Sequence, residues 1–408
     1  MKLILLCICL AATDVIAKTI KVSPNGMDLK HAVNNAAAGD TILVSKGTYK
    51  PGNVIIEKSI TILGEGMPVL DGEKKHEIFT VHANGLTISG LKFINTGVSS
   101  INDPAAVKVL DSKNIVIVGN QFENAFFAVH FSNSSYSKII GNEIKANAET
   151  EYQIGNGVHL WKCHHITVSD NTIRGHRDGI YFEFVTNSFI SGNISQGNKR
   201  YGLHFMFSHD DEYENNKFID NGAGVAVMYT ARVTMTGNTF EKNWGSSAYG
   251  LLLKDIRDSS VSGNIFKANS VGIFMEGSSR IRFQENTFSQ NGYAVKLQAS
   301  CDDNVFRRNN FSGNTFDIAT NGTLILNKIE SNYWDRYEGY DLNNDKVGDV
   351  PYRPVSMYSM IVEQVPTAVL LWRSFLVMLI DNAEKAIPVI TPENLKDDSP
   401  SMRPYDFN

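Results

Sequence analysis

The chain has 408 residues and a formal net charge of −5, with 20% charged and 42% hydrophobic residues. That balance excludes a general nucleic-acid role, which needs a basic face, and fits a soluble protein with a large apolar core. Length alone admits two or three ordinary domains or one long repeat array.

Lys2 precedes an apolar run from Leu3 to Ala12, and Val15-Ile16-Ala17 sets small or aliphatic residues ahead of Lys18. Residues 1–17 therefore read as a cleaved secretory signal peptide, too short to span a bilayer as a stable helix. Neither Cys7 nor Cys9 follows a small residue, which argues against a lipoprotein. Next, Leu29, Ala32, Val33 and Ala36 recur at helical spacing between Asp28 and Ala37, and Gly39 follows as a stop. This is the expected N-terminal cap helix of what comes after. Strands are expected over Thr41–Val44, Val54–Ile56 and Ile60–Leu63.

From residue 120 onward an asparagine recurs in matching context, usually two residues before an aromatic residue or Ile. The series is Asn120, Asn142, Asn171, Asn193, Asn216, Asn238, Asn264, Asn286, Asn310 and Asn332. A second series runs in step: Ala128, Gly157, Gly179, Gly202, Gly224, Gly250, Gly272 and Ala294, each opening a short strand of alternating apolar residues. Strand-rich repeats of this period with no helical pattern mean a β-solenoid, here a right-handed parallel β-helix of roughly ten coils over residues 18–335.

Alternate side chains must point inward. Val158, Ile180, Leu203, Val225, Leu251, Ile273 and Val295 form one expected stack, and Phe122, Ile144, Ile173, Phe218, Phe240 and Phe288 another. The asparagines are expected at a bend, bonded to the amides of neighbouring coils. Insertions bulge around Ala146–Gln153 and Trp244–Ala248. Cys163 and Cys301 fall six coils apart, roughly 29 Å at about 4.8 Å per coil, too far for a disulfide.

Outward positions on the glycine-led strand form two neighbouring columns. One reads His130, His159, Tyr181, His204, Ala226, Leu252, Phe274 and Lys296; the other reads Ser132, Trp161, Glu183, Met206, Met228, Lys254, Glu276 and Gln298. His159, Glu183, His204, Met206 and Met228 thus share one patch. Thioether with imidazole favours copper, the thioether selecting Cu(I). Seven of the ten histidines lie between His130 and His209, which adds to the local bias. The competing reading is a protein interface, for which Trp161, Tyr181, Leu252 and Phe274 are the candidates. His164-His165 and His209-Asp210-Asp211 fall at bends, where solvated turns are the plainer reading. A polysaccharide lyase or epimerase is the rival enzymatic reading, with Glu183, Arg177, Asp178, His209, Asp210 and Asp211 as candidate acids, bases and cations.

After Trp334 the pattern changes. Asp341 to Asp349 spaces oxygen-bearing side chains like a calcium loop. It carries Lys346 where glycine belongs and Tyr352 where the closing glutamate belongs, so a turn is the main reading and calcium the weaker alternative. Pro366 opens an apolar stretch, Ala368 to Ile380, interrupted by Arg373. Within residues 336–387 it reads as a docking helix too short to span a membrane. Residues 388–408 are Pro-, Asp- and Ser-rich and read as an extended tail.

Several stretches are far more specific than the repeat. They are Gly157-Val158-His159-Leu160-Trp161, then Gly175-His176-Arg177-Asp178-Gly179-Ile180-Tyr181-Phe182-Glu183-Phe184, and Arg200-Tyr201-Gly202-Leu203-His204-Phe205-Met206-Phe207-Ser208 with Asp210-Asp211. Ala223 to Tyr229, Ala248 to Lys254, Gly348 to Pro354, Leu371-Trp372-Arg373-Ser374 and Met402-Arg403-Pro404 complete the set. Together they resemble the NosD family, periplasmic β-helix proteins of nitrous-oxide reductase maturation, across nearly the whole mature chain. The resemblance implies an accessory protein rather than an enzyme. It implies an ABC-transporter ATPase and permease as partners, and exchange with a copper-chaperone lipoprotein and apo nitrous-oxide reductase. On that resemblance Leu371, Trp372, Arg373 and Met402, with Met357, Met360 and Met378, are expected against the permease.

Overall fold

The computed structural model describes residues 17–407 apart from 100–102, 148–149, 323–325 and 387–394. The expected signal segment lies outside the described residues but for Ala17.

The chain winds into an all-parallel β-helix whose three faces are sheets of fourteen, twelve and thirteen strands. Each complete coil contributes one short strand to each sheet, and the incomplete coils at the two ends account for the unequal numbers. The expectation of roughly ten coils fell short because the coils before Asn120 use other residues at the bends. The expected inward stack from Val158 to Val295 pairs residue for residue and is fully buried. The second stack also forms, with Ser195 between Ile173 and Phe218 and Phe266 between Phe240 and Phe288. Phe240, Phe266, Phe288, Phe311 and Trp334 then lie nearly parallel, centroids 4.2–4.9 Å apart.

One bend carries the asparagine ladder. From Asn142 onward each Oδ1 accepts from both the backbone N–H and the Nδ2 of the preceding member, at 2.8–3.2 Å. The member in the ninth place is Asn309, not the expected Asn310, whose side chain instead exchanges hydrogen bonds with the backbone of Tyr405. A second ladder at the next bend runs through Asn198, Asn221, Asn243, Asn269, Asn291 and Asn314. Such ladders satisfy donors that a bend would otherwise bury unpaired.

Both ends are covered. At the N-terminus the expected helix forms as α1 (Leu29–Asn35), capped by the Asp28 carboxylate and packed through Leu29, Ala32 and Val33. At the C-terminus residues 395–407 lie across the last coil. Asp397 stands where the next asparagine would be and accepts from Asn332 N (2.8 Å), Ser331 N (2.9 Å) and Trp334 Nε1 (3.1 Å). Cys163 and Cys301 are buried free thiols.

The expected single helix over Ala368–Ile380 is in fact two pieces. A 3-10 segment, Pro366–Leu371, is followed by the break at Arg373, whose φ of 63° lies in the left-handed region. Ser374 then caps the helix Phe375–Ala386 through its Oγ and its carbonyl. With α2 (Met357–Gln364) and that helix as α3, this appendage packs on the last strands of the twelve-stranded sheet. Phe316, Tyr358, Val362 and Val377 are buried together, and Lys296 pairs with Glu363 at 2.8 Å.

Candidate functional site

The histidine- and methionine-bearing strands are β1 (Val158–Trp161), β2 (Asp178–Glu183), β3 (Tyr201–Met206), β4 (Ala223–Met228), β5 (Tyr249–Lys254) and β6 (Val271–Glu276) of the twelve-stranded sheet. Both outward columns pair in the expected register: His130, His159, Tyr181, His204, Ala226, Leu252, and Ser132, Trp161, Glu183, Met206, Met228, Lys254. The glycine in the second place of most of these strands is required by the interior. A Cβ on Gly179 would collide with Ser195 Oγ and come within 2.6 Å of the Gly202 carbonyl. The residue before that position joins the outer face, which adds Asp178 and Tyr201 to the patch.

Tyr181 is the hub. Its ring stacks on His159 (4.7 Å, 18°) and stands edge-on to His204 (5.1 Å, 79°), so it separates the two imidazoles. Its hydroxyl donates to Glu183 Oε2 at 3.2 Å and lies 3.9 Å from Met206 Sδ. Burial, and then the Glu183 charge, pushes the phenol up to about 12. His159 belongs instead with His130, edge-on at 4.7 Å, and with Asn156, 3.0 Å from its Nδ1. Burial holds His130 down at about 4; burial together with His130 holds His159 at about 3, so both rings are neutral at neutral pH.

His204 is 6% exposed, and both of its ring nitrogens are buried without a hydrogen-bond partner. The nearest carboxylate, Asp178 Oδ2, is 3.7 Å from Nδ1, too far for a hydrogen bond. Asp178 is held by a two-point pair with Arg200, with Nε to Oδ1 at 2.8 Å. Burial alone would raise that carboxyl; the Arg200 hydrogen bonds and His204 outweigh it and keep Asp178 below its ordinary value. Met206 and Met228 are register partners beside this imidazole, both half-buried.

A feature outside the expected set borders the thioethers. The turn after the outward strand takes one left-handed residue in eight successive coils, and in five of them that residue is Asp111, Asn133, Lys162, Asp255 or Gly277. In three central coils it is Phe184, Phe207 and Tyr229. Bulky side chains there cost on the order of 1 kcal/mol or more each. The rings recover little by burial: they are 44%, 36% and 40% exposed and stacked 5.1–5.2 Å apart. The signal in the sequence was the aromatic residue following Glu183, Met206 and Met228 at a turn filled in neighbouring coils by Asp, Asn, Lys or Gly.

The remaining candidates fall elsewhere. Trp161 is half-buried under the Lys162 ammonium, Phe274 leans on Tyr249, and Leu252 is buried. His164 and His165, expected at a bend, are instead the exposed first two residues of the strand His164–Ser169, Nδ1 to Nδ1 2.9 Å. Most of the candidate catalytic carboxylate oxygens are occupied. Asp210 forms a two-point pair with Arg232, and Asp211 is buried and accepts from Ser188 N at Oδ1, its Oδ2 without a partner. In the 341–349 loop Asp341, Asp345 and Asp349 turn their oxygens to backbone amides. Among the described residues no three His, Cys, Asp or Glu side chains converge on a metal position, in that loop or on the sheet. On the C-terminal appendage Leu371 is exposed, Trp372 packs on Phe316 at 5.4 Å, and Met402 is half-buried, its N–H bonded to the Lys346 carbonyl.

Comparison with known proteins agrees with this architecture. A family model described as "Periplasmic copper-binding protein (NosD)" matches residues 140–344, the stretch that contains the outer patch. The chain is 28% identical over 387 residues to a probable ABC transporter binding protein NosD of Pseudomonas aeruginosa, covering 88% of this chain and 87% of that one. A protein of the same description from Stutzerimonas stutzeri is 26% identical over 378 residues, covering 88% and 85%. Among solved structures, the A-module of the mannuronan C-5 epimerase AlgE6 from Azotobacter vinelandii superposes with a TM-score of 0.52. It is 13% identical and covers 74% of this chain and 86% of that one, a likeness of fold alone.

Proposed function

The chain belongs to the NosD family, and from that premise we propose that it is the periplasmic subunit of an ABC-transporter system that matures the copper–sulfide centre of nitrous-oxide reductase. In this reading copper chaperone and apo-reductase dock on the outer face of β1–β6, and Cu(I) is the cargo passed there. Residues 1–17 are the export signal that delivers the chain to the periplasm.

The observation that carries the proposal is the register pair Met206–Met228 beside His204, an imidazole with two orphaned buried nitrogens. A buried polar atom left unpaired is costly unless a ligand meets it part of the time. Two thioethers and an imidazole form a soft, sparse donor set, suited to Cu(I) and unsuited to a harder ion. Glu183 is the register partner of Met206 on one side, and His159 lies across the Tyr181 ring from His204. Because His159 is held neutral, a metal meets no competing proton there at neutral pH. The Phe184, Phe207 and Tyr229 strip supplies the apolar contact on which a delivering or receiving protein rests. Its rings cover one another's faces, which suits packing against protein side chains better than stacking on sugars. The arginine pairs that occupy Asp178 and Asp210 further favour a binding protein over a polysaccharide-active enzyme.

The C-terminal appendage is the permease side of the proposal. Leu370, Leu371, Phe375, Leu376, Met378 and Leu379 are 44–85% exposed on it, a ridge that calls for an apolar partner. No helix of the described residues is long and apolar enough to cross a membrane, so contact with the membrane is assigned to the transporter. The test is reductase assembled in cells carrying the Met206→Leu/Met228→Leu double variant. Reductase lacking copper, with this protein at its normal level, is the expected result. Reductase with full copper would leave the face as a docking scaffold that holds no metal.

A further inference from the structure

Between the last coil and the C-terminal helices lies a cavity of about 860 Å³, within the range of small-molecule sites. Its apolar walls are the rings of Phe316, Tyr352, Tyr358 and Trp372. Its charged lining is the four carboxylates Asp317, Asp335, Glu338 and Glu384 against the two guanidiniums Arg336 and Arg353, an excess of two acidic groups.

Asp317 is 3% exposed. Among the described residues its one hydrogen bond is a long one, 3.3 Å from Asn314 Nδ2 to Oδ1, and its other oxygen has no partner. Burial pushes its carboxyl up to about 7, opposed by Arg336 and Asn314 and assisted by Asp335. Arg336 does not reach it as an ion pair. Its guanidinium donates to the Asn314 and Thr315 carbonyls at 2.7 and 3.2 Å and lies 5.6 Å over the Trp372 ring. The cavity wall thus already carries one guanidinium on an aromatic face, yet leaves a buried carboxylate oxygen open. Aromatic faces and a desolvated carboxylate together recognise an organic cation, not a hydrated metal ion.

We propose that this cavity binds an organic cation, a primary ammonium or guanidinium on a short apolar stem, with Asp317 as its counter-charge and Trp372 and Tyr358 as its walls. The cation comes either as a free amine or as a lysine or arginine side chain of a protein seated against α2 and α3. This site is separate from the copper reading, and none of its readouts involves copper.

The experiment is calorimetric titration of the full mature chain at pH 8 with n-butylammonium, n-butylguanidinium and neutral n-butanol. The cations are expected to saturate with Kd of about 1 mM or below, and the alcohol to bind at least about tenfold more weakly. D317N should weaken the cations about tenfold and leave the alcohol unchanged; W372L, which keeps the carboxylate, should weaken both cations by a smaller factor. Saturation by the free amine identifies a small-molecule ligand. Saturation only by a leucine-flanked lysine peptide, and not by its norleucine analogue, identifies a partner side chain. No saturation by any cation, or equal binding by the wild type and both variants, overturns the proposal.

Discussion

The bends of this β-helix and the outer face of its central coils are built from the same repeat but obey opposite rules. At the bends two asparagine ladders pair amide with amide, and where the first ladder runs out Asp397 completes it. On the outer face of β2–β4, a few residues away, His204 keeps two unpartnered nitrogens and three aromatic residues sit where Asp, Asn or Gly would relax the turn. Among the described residues other buried polar atoms lack a partner one at a time, among them His176 Nε2 and Asp211 Oδ2, but only His204 lacks both, and only beside it do three strained aromatic residues follow one another. That coincidence is why we place the partner-binding face on these three coils.

That contrast can be broken from either side, and the largest effect belongs to the ladder. The Asn216 side chain makes four hydrogen bonds, accepting from the backbone and side chain of Asn193 and donating to Asn238 and the Ile190 carbonyl. Asn216→Ala leaves several of these buried groups unpaired and should cost on the order of 3–5 kcal/mol in chemical denaturation. A loss below about 1 kcal/mol would mean the ladder is decoration.

His176 tests the second ladder through pH. It donates its backbone N–H to Asn198 at the ladder's end, its Nε2 is orphaned, and burial holds it at about 4. A histidine depressed from its ordinary value stabilises the fold above that value and loses this contribution as pH falls through it. Between pH 6.5 and 4 the loss should approach about 3 kcal/mol. His176→Asn, which extends the ladder by one amide, should flatten that acid slope. The slope that persists belongs to His130 and His159, and an unchanged slope would remove His176 from the account.

The aromatic strip should respond with the opposite sign. Replacing Phe184, Phe207 and Tyr229 together by asparagine should stabilise the fold by roughly 1–3 kcal/mol while weakening capture of the partner proteins. A less stable triple variant would show the rings to be structural.

The register was legible because its physical cause is local. Gly179 and its equivalents face a close carbonyl, inward residues alternate, and both outward columns follow once one strand is placed. The ladder slip at Asn309 was also legible in principle, since Asn309 is the residue two before Phe311, but adjacent asparagines make spacing alone ambiguous. The Asp178–Arg200 pair and the Tyr181 hub were hidden because they depend on which way side chains turn across coils. The break at Arg373 depends on one backbone angle that an apolar run does not announce. The second ladder was overlooked for a simpler reason: Asn198, Asn221 and Asn243 follow the first series by five residues and share its period.

Met206, Met228 and the orphaned His204 are the ligands we propose for Cu(I) on this face. Anaerobic titration of the mature protein with Cu(I) against a competing chelator tests this assignment most directly, with the Met206→Leu/Met228→Leu variant alongside. Tight binding of copper by the wild type is expected, lost in the variant while its thermal stability stays within about 1 kcal/mol. Undiminished binding in the variant, or none in the wild type, would contradict it.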